Sequence, residues 1–166
     1  VHGFDKLEGI TQKAGRLVFS ESGSKASDTA TPAVDSPGRV WSLRDGADGV
    51  TGSVLVEGDF AKLSHPDNVT FTPAGDLMIM EDNGSALTRD PATGKAANGG
   101  MNEVYILPKG KRGADNLKLL ASVPNGGEPT GPAFSRNGKL LYLSIQGEPS
   151  RSLVISGHNW KTRYAG

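Results

Sequence analysis

The chain of 166 residues contains no cysteine. Disulfide frameworks and thiolate metal sites are thereby excluded, and the redox compartment stays open. Charge of one sign is not in excess either, because 18 basic residues balance 18 acidic ones. That balance argues against a nucleic-acid binder and against a surface that adheres to anionic lipid. No apolar run approaches the length of a membrane span. The chain starts at Val1, with neither a charged n-region nor an apolar h-region. The missing initiator Met suits a processed chain, an internal fragment or an incompletely recorded sequence.

Helix-period stretches are missing too. In their place, 23 Gly and 10 Pro punctuate short apolar runs, which is how an all-β chain reads. The segment PDNVTFTPAGDLMIMEDN, residues 66–83, illustrates it. Asn68–Thr72 reads as a strand that stops at the turn signal Pro73-Ala74-Gly75-Asp76. Leu77-Met78-Ile79-Met80 is too short and too uniformly apolar for a surface helix and reads as a buried strand. That strand closes on two acids, Glu81 and Asp82, which are either solvated at a sheet edge or held by something positive.

The pattern recurs. Glu8-Gly9-Ile10-Thr11 leads through a turn to Arg16–Ser22, Asp67-Asn68-Val69-Thr70 leads to Asp76–Asp82, and Thr130–Phe134 leads to Lys139–Ile145. The turn glycines stand at 15, 75 and 138, an internal period of roughly 60 residues. Further strands at Gly38–Leu43 and Ser53–Val56 complete the first unit. Glu103–Leu107 and Leu117–Val123 complete the second, and Ser152–Ile155 continues the third. Four strands per unit describe β-propeller blades, in units of about 8–62, 63–126 and 127–166. An open antiparallel sheet or sandwich is the alternative. Two and a half blades do not close a ring, so further blades or a partner protein are expected to supply the rest. The connections Ser22–Gly38 and Asn83–Gly100, rich in small and polar residues, read as surface loops. Blade packing is expected to bury Leu17, Phe19, Val40, Val69, Phe71, Met78, Met80, Val104, Ile106, Phe134, Leu141, Leu143 and Val154.

Aligning the repeats orders the acids. Glu8 and Asp67 start the inner strands of units one and two, and Glu128 lies just before that place in unit three. Glu21 and Glu81 share a second register, at the end of the second strand. Inner strands begin near a propeller's central channel, so carboxylates there can converge on a hard cation such as Ca²⁺. Taken singly, each is also readable as a solvated strand end. Asp45-Gly46-Ala47-Asp48-Gly49 lacks the terminal Glu of an EF-hand and reads as a plain turn. His2, His65 and His158 lack zinc spacing, and no nucleophile elbow, Walker loop or dinucleotide fingerprint is present. Lys109-Gly110-Lys111-Arg112-Gly113 reads as a solvated basic hairpin tip. Asn68-Val69-Thr70 and Asn83-Gly84-Ser85 fit the glycosylation triplet.

Three segments in this order, Phe4–Gly9, Pro66–Asp82 and Glu128–Gln146, resemble the PhoX-type alkaline phosphatases. The resemblance implies a six-bladed propeller with a calcium and iron (Ca²⁺, Fe³⁺) cluster on its axis. It further implies hydrolysis of small phosphate monoesters outside the cytoplasm, in a periplasmic, secreted or organelle-lumen setting. Carried over by position, Glu8, Glu81 and Glu128 are the implied metal carboxylates. Two features of the family have no counterpart here: the cysteine of the iron site, and a basic clamp where Ile79 and Met80 stand. A non-catalytic propeller subunit and a lactonase-like calcium hydrolase are the competing readings.

Overall fold

The structure is a computed structural model that describes residues 3–23, 36–83, 101–123, 127–147 and 149–164. Among the described residues, eleven strands form three antiparallel sheets. The first sheet runs β1 (Leu7–Lys13), β2 (Arg16–Glu21), β3 (Arg39–Gly46) and β4 (Gly49–Glu57) in order. The second runs β5 (Pro66–Phe71), β6 (Leu77–Glu81), β7 (Asn102–Leu107) and β8 (Lys118–Val123). The third has β9 (Glu128–Phe134), β10 (Leu141–Gln146) and β11 (Arg151–Ile155). Helix among the described residues is confined to one 3-10 turn, Ala114–Asn116, and no helix there is long and apolar enough to cross a membrane. The expected all-β architecture and the meander order of each unit are both present. The two long connections lie almost wholly outside the described residues.

The sheets stack side by side, with β1 against β5 and β5 against β9, as the inner strands of successive propeller blades do. Blade two is sandwiched, and its strands show why they read as solid apolar runs. Leu77 and Ile79 of β6 join Val18, Val40, Leu55 and Val56 in one core with blade one. Met78 and Met80 point the other way and join Leu141, Leu143 and Trp160 in a second core with blade three. The alternation of a strand, covered on both faces, leaves no polar side. Burial of each such side chain stabilises by roughly 1.5–3 kcal/mol.

Nine of the thirteen residues expected in the core are buried, and Leu17, Phe71 and Phe134 are half-buried. Val154 is the exception at 58% exposed. It pairs with Tyr142 across β10 and β11, and Tyr142 is also exposed. Leu141 and Leu143 of the same strand turn toward blade two. Side chains that alternate away from them therefore occupy the face of blade three that no other described strand covers.

The inner strands approach closely. A Cβ on Gly9 of β1 would lie 2.4 Å from the Asp67 carbonyl oxygen and 2.8 Å from the Val69 nitrogen of β5. Ser20 of β2 reaches through this contact, donating its hydroxyl to the Gly9 carbonyl at 3.3 Å and also to the Asp67 carbonyl.

Candidate metal and phosphoryl site

A bulge after the first residue of β1 and of β5 sets the site. Leu7 pairs with Glu21 and Ile10 with Phe19, with a register shift between them. Pro66 pairs with Glu81 and Val69 with Ile79, with the same shift. In the third blade Glu128 pairs with Gln146. Lys6 and His65, the residues before β1 and β5, both take the left-handed conformation, φ 53° and 48°. Each carbonyl there accepts the N–H that follows the strand-closing Glu: Ser22 to Lys6 at 2.9 Å, Asp82 to His65 at 3.0 Å.

This geometry turns the carboxylates of Glu21 and Glu81 back into the chain. Glu81 is wholly buried. Its Oε1 accepts the Ser64 backbone N–H at 2.6 Å, and its Oε2 accepts the Glu103 N–H at 3.0 Å and the Asn83 amide at 3.4 Å. Glu21 accepts the Asp5 N–H at 3.0 Å and the Trp41 indole N–H at 2.6 Å, with the Arg39 guanidinium 3.7 Å away. Several N–H donors on a buried carboxylate offset much of its desolvation cost. The burial of the strand-closing acid therefore has a cause within the chain.

Two asparagines connect Glu81 toward Glu128. The Asn83 N–H donates to the Asn102 side-chain oxygen at 2.6 Å, and the Asn102 amide donates to the carbonyl of Gly127 at 2.9 Å. Glu128 follows directly and is half-buried at the start of β9. The Asn83 side-chain nitrogen is engaged inside the protein, which removes it as a glycan acceptor. Asn68 is likewise committed, donating to Asp67 at 2.9 Å and accepting from the Thr130 hydroxyl at 3.3 Å.

Glu8 belongs to a different neighbourhood. Its carboxylate pairs with the Lys6 ammonium at 2.9 Å. Burial works against the Lys6 charge, but the bond to Glu8 and the fields of Asp82 and Asp67 outweigh it, so its pKa lies above the ordinary lysine value. Lys6 is thus a positive group set among three carboxylates at the inner-strand starts. Neither Lys6 nor Asp82 emerges from the sequence as a site residue. The adjacency of Glu81 and Asp82 at a strand end, where successive side chains point oppositely, was the available signal.

Tyr105 lies beside these acids. Its hydroxyl donates to the Glu103 carboxylate and to the Lys62 carbonyl. Burial, the bond to Glu103 and the nearby Glu81 and Glu103 charges push its pKa far above the usual phenol range.

Among the described residues, no group of three or more His, Asp or Glu side chains is arranged to hold a metal ion. Glu8, Asp67, Asn68, Thr130 and Glu128 stand within the first three residues of the inner strands, where hydrogen bonds join Asp67, Asn68 and Thr130. In kind, these donors fit an oxygen-seeking cation such as Ca²⁺. A thiolate-bearing iron site they do not fit, since the chain has no cysteine. Elsewhere, Asp45–Gly49 forms a plain hairpin tip in which Gly46 pairs with Gly49. His65 lies buried with Nδ1 2.9 Å from the Ser22 carbonyl, and His158 packs edge-on against Trp160. Both have structural environments.

Residues 56–149 match the family model for alkaline phosphatase PhoX. Among solved structures, the chain is similar to Pseudomonas fluorescens PhoX in complex with vanadate, a transition-state analogue. The TM-score is 0.60 at 18% identity, over 86% of this chain and 29% of that one. At this identity the likeness is one of fold, and the chain spans under a third of the protein it matches. No curated protein matches the chain.

Proposed function

The chain belongs to the PhoX alkaline phosphatase family, and from that premise we propose that it supplies part of a metal-dependent phosphomonoesterase centre. Its three blades would form one arc of a larger propeller, with further blades completing the ring. Glu8, Glu81 and Glu128 are the proposed metal carboxylates, and calcium is the ion their oxygens suit. Iron would have to take its thiolate from another part of the protein. The proposed setting is extracytoplasmic, as the family resemblance implies.

The observation that supports this reading best is the placement of Glu81 within the matched segment 56–149. Wholly buried at a strand end, it accepts N–H donors on both oxygens. These donors fix the orientation of the carboxylate before any ligand arrives, as preorganised sites require. Lys6 balances the charge of Glu8, with Asp67 and Asp82 nearby. A bound hard cation supplies Lewis-acid stabilisation of phosphoryl charge and lowers the pKa of an oxygen nucleophile. Around it, the chain's own contribution is to bind, to orient and to keep water from Glu81.

The Glu21 arrangement favours a second reading. Because Glu21 repeats in blade one the contact of Glu81 to the chain entering the blade, the strand-closing Glu can be a blade-locking device in a propeller without catalysis. Elemental analysis of the intact protein, with turnover of a generic phosphate monoester, separates the two. Calcium together with iron and turnover supports the phosphatase. Calcium alone with lactone hydrolysis points to the lactonase type, and no metal with no turnover leaves the scaffold.

A further inference from the structure

Glu8, Asp67, Glu81 and Glu128 lie at one end of the blades, and the opposite end carries a basic groove. There the β1–β2 turn, the β3–β4 tip, the β5–β6 turn and the segment after β7 enclose a groove of about 480 Å³. Lys13, Arg16, Arg44 and Lys109 line it, with Asp45 as the one acid and Phe71 as an apolar wall. We propose that this groove between blades one and two binds a multiply charged phosphate anion, at a site separate from the carboxylate end.

Two of the cations, Lys13 and Arg16, are held in place. The Lys13 ammonium donates to the Thr72 and Pro73 carbonyls at 2.8 and 2.9 Å, pinning the turn of blade one to that of blade two. Arg16 donates Nε to the Ser42 hydroxyl at 2.7 Å. Among the described residues, no carboxylate pairs with Arg16 or Arg44. Burial and the neighbouring Arg44 and Arg112 guanidiniums lower the pKa of Arg16, although an arginine keeps its proton throughout the working range.

Like charges gathered in a concave, partly desolvated groove repel one another until an anion enters. The terminal N–H groups of Arg16 and Arg44 match the bidentate geometry of phosphate oxygens, and the two lysines add point charge. The volume suits a small ligand. A lone phosphate would engage only part of this set, so a diphosphate is the better probe.

The test is calorimetric titration of the full chain with imidodiphosphate, a pyrophosphate analogue that resists hydrolysis. Saturable, salt-weakened binding is expected, with Arg44→Glu and Lys109→Glu each lowering affinity at least about tenfold. Both side chains are exposed, so the variants should melt like the parent. Arg151→Glu, the same charge change on the exposed edge of blade three, should bind within about twofold of wild type. The proposal is overturned if wild type shows no saturable binding. It is equally overturned if Arg44→Glu and Lys109→Glu bind like wild type, or if Arg151→Glu loses as much as they do.

Discussion

Glu21 and Glu81 occupy the same point in successive blades. Each closes the second strand and accepts the backbone N–H of the residue two positions before its inner strand, Asp5 for Glu21 and Ser64 for Glu81. The carboxylate therefore ties the end of one strand to the chain entering the blade, in the gap that the bulge opens.

Removing that tie should cost stability unequally. Glu81→Ala leaves the N–H groups of Ser64 and Glu103 without their acceptor in a fully buried place. A loss of about 2–5 kcal/mol in urea unfolding is expected. Glu21→Ala should cost less, about 1–2 kcal/mol, because Asp5 is exposed and Trp41 only half-buried, so water can replace the carboxylate. Equal losses would contradict the difference in burial as the cause.

The approach of β1 to β5 depends on Gly9. An alanine Cβ there would meet the Asp67 oxygen at 2.4 Å and the Val69 nitrogen at 2.8 Å, both backbone atoms that no rotamer can move. Gly9→Ala is expected to destabilise by about 1–3 kcal/mol or more. Gly46→Ala, whose nearest neighbour would be 3.6 Å away, should stay within about 0.5 kcal/mol. Thermal melts of the two variants make the comparison.

Tyr105 gives a pH signature. The folded protein holds the phenol proton more tightly than the unfolded chain does. Its contribution to stability is therefore complete below the ordinary phenol value of about 10 and is lost progressively as pH rises above it. Urea midpoints from pH 9 upward should fall more steeply in wild type than in Tyr105→Phe. Parallel curves would mean that the phenol ionises as freely folded as unfolded.

The blades were legible in the sequence because they rest on local signals. Turn glycines recur at 15, 75 and 138, and alternation places Met78 and Met80 on one face and Leu77 and Ile79 on the other. Val154 misled because a strand's apolar residue is buried only if a neighbouring blade covers it, which no local pattern encodes. The partners of Glu81 were illegible for a related reason. They are backbone N–H groups of Ser64 and Glu103, and any residue type carries such a group. Lys6 as the counter-charge of Glu8 was hidden by its left-handed backbone, φ 53°, which redirects the chain just before β1.

The central claim is that Glu81 is a metal carboxylate as well as a blade tie, and Glu81→Gln measured against Glu21→Gln in the intact protein tests it most directly. Both substitutions keep the side-chain volume and weaken the same kind of N–H contact, so a purely structural role should lower stability at both, more at the fully buried Glu81, without stripping metal from folded protein at either. Only at position 81 should the neutral amide also remove a ligand charge, because a hard cation prefers carboxylate oxygen. The expected result is a loss of bound calcium and of phosphomonoesterase turnover in Glu81→Gln, with both retained in Glu21→Gln. Metal content and turnover like wild type in folded Glu81→Gln would contradict the claim and leave Glu81 as a structural tie alone.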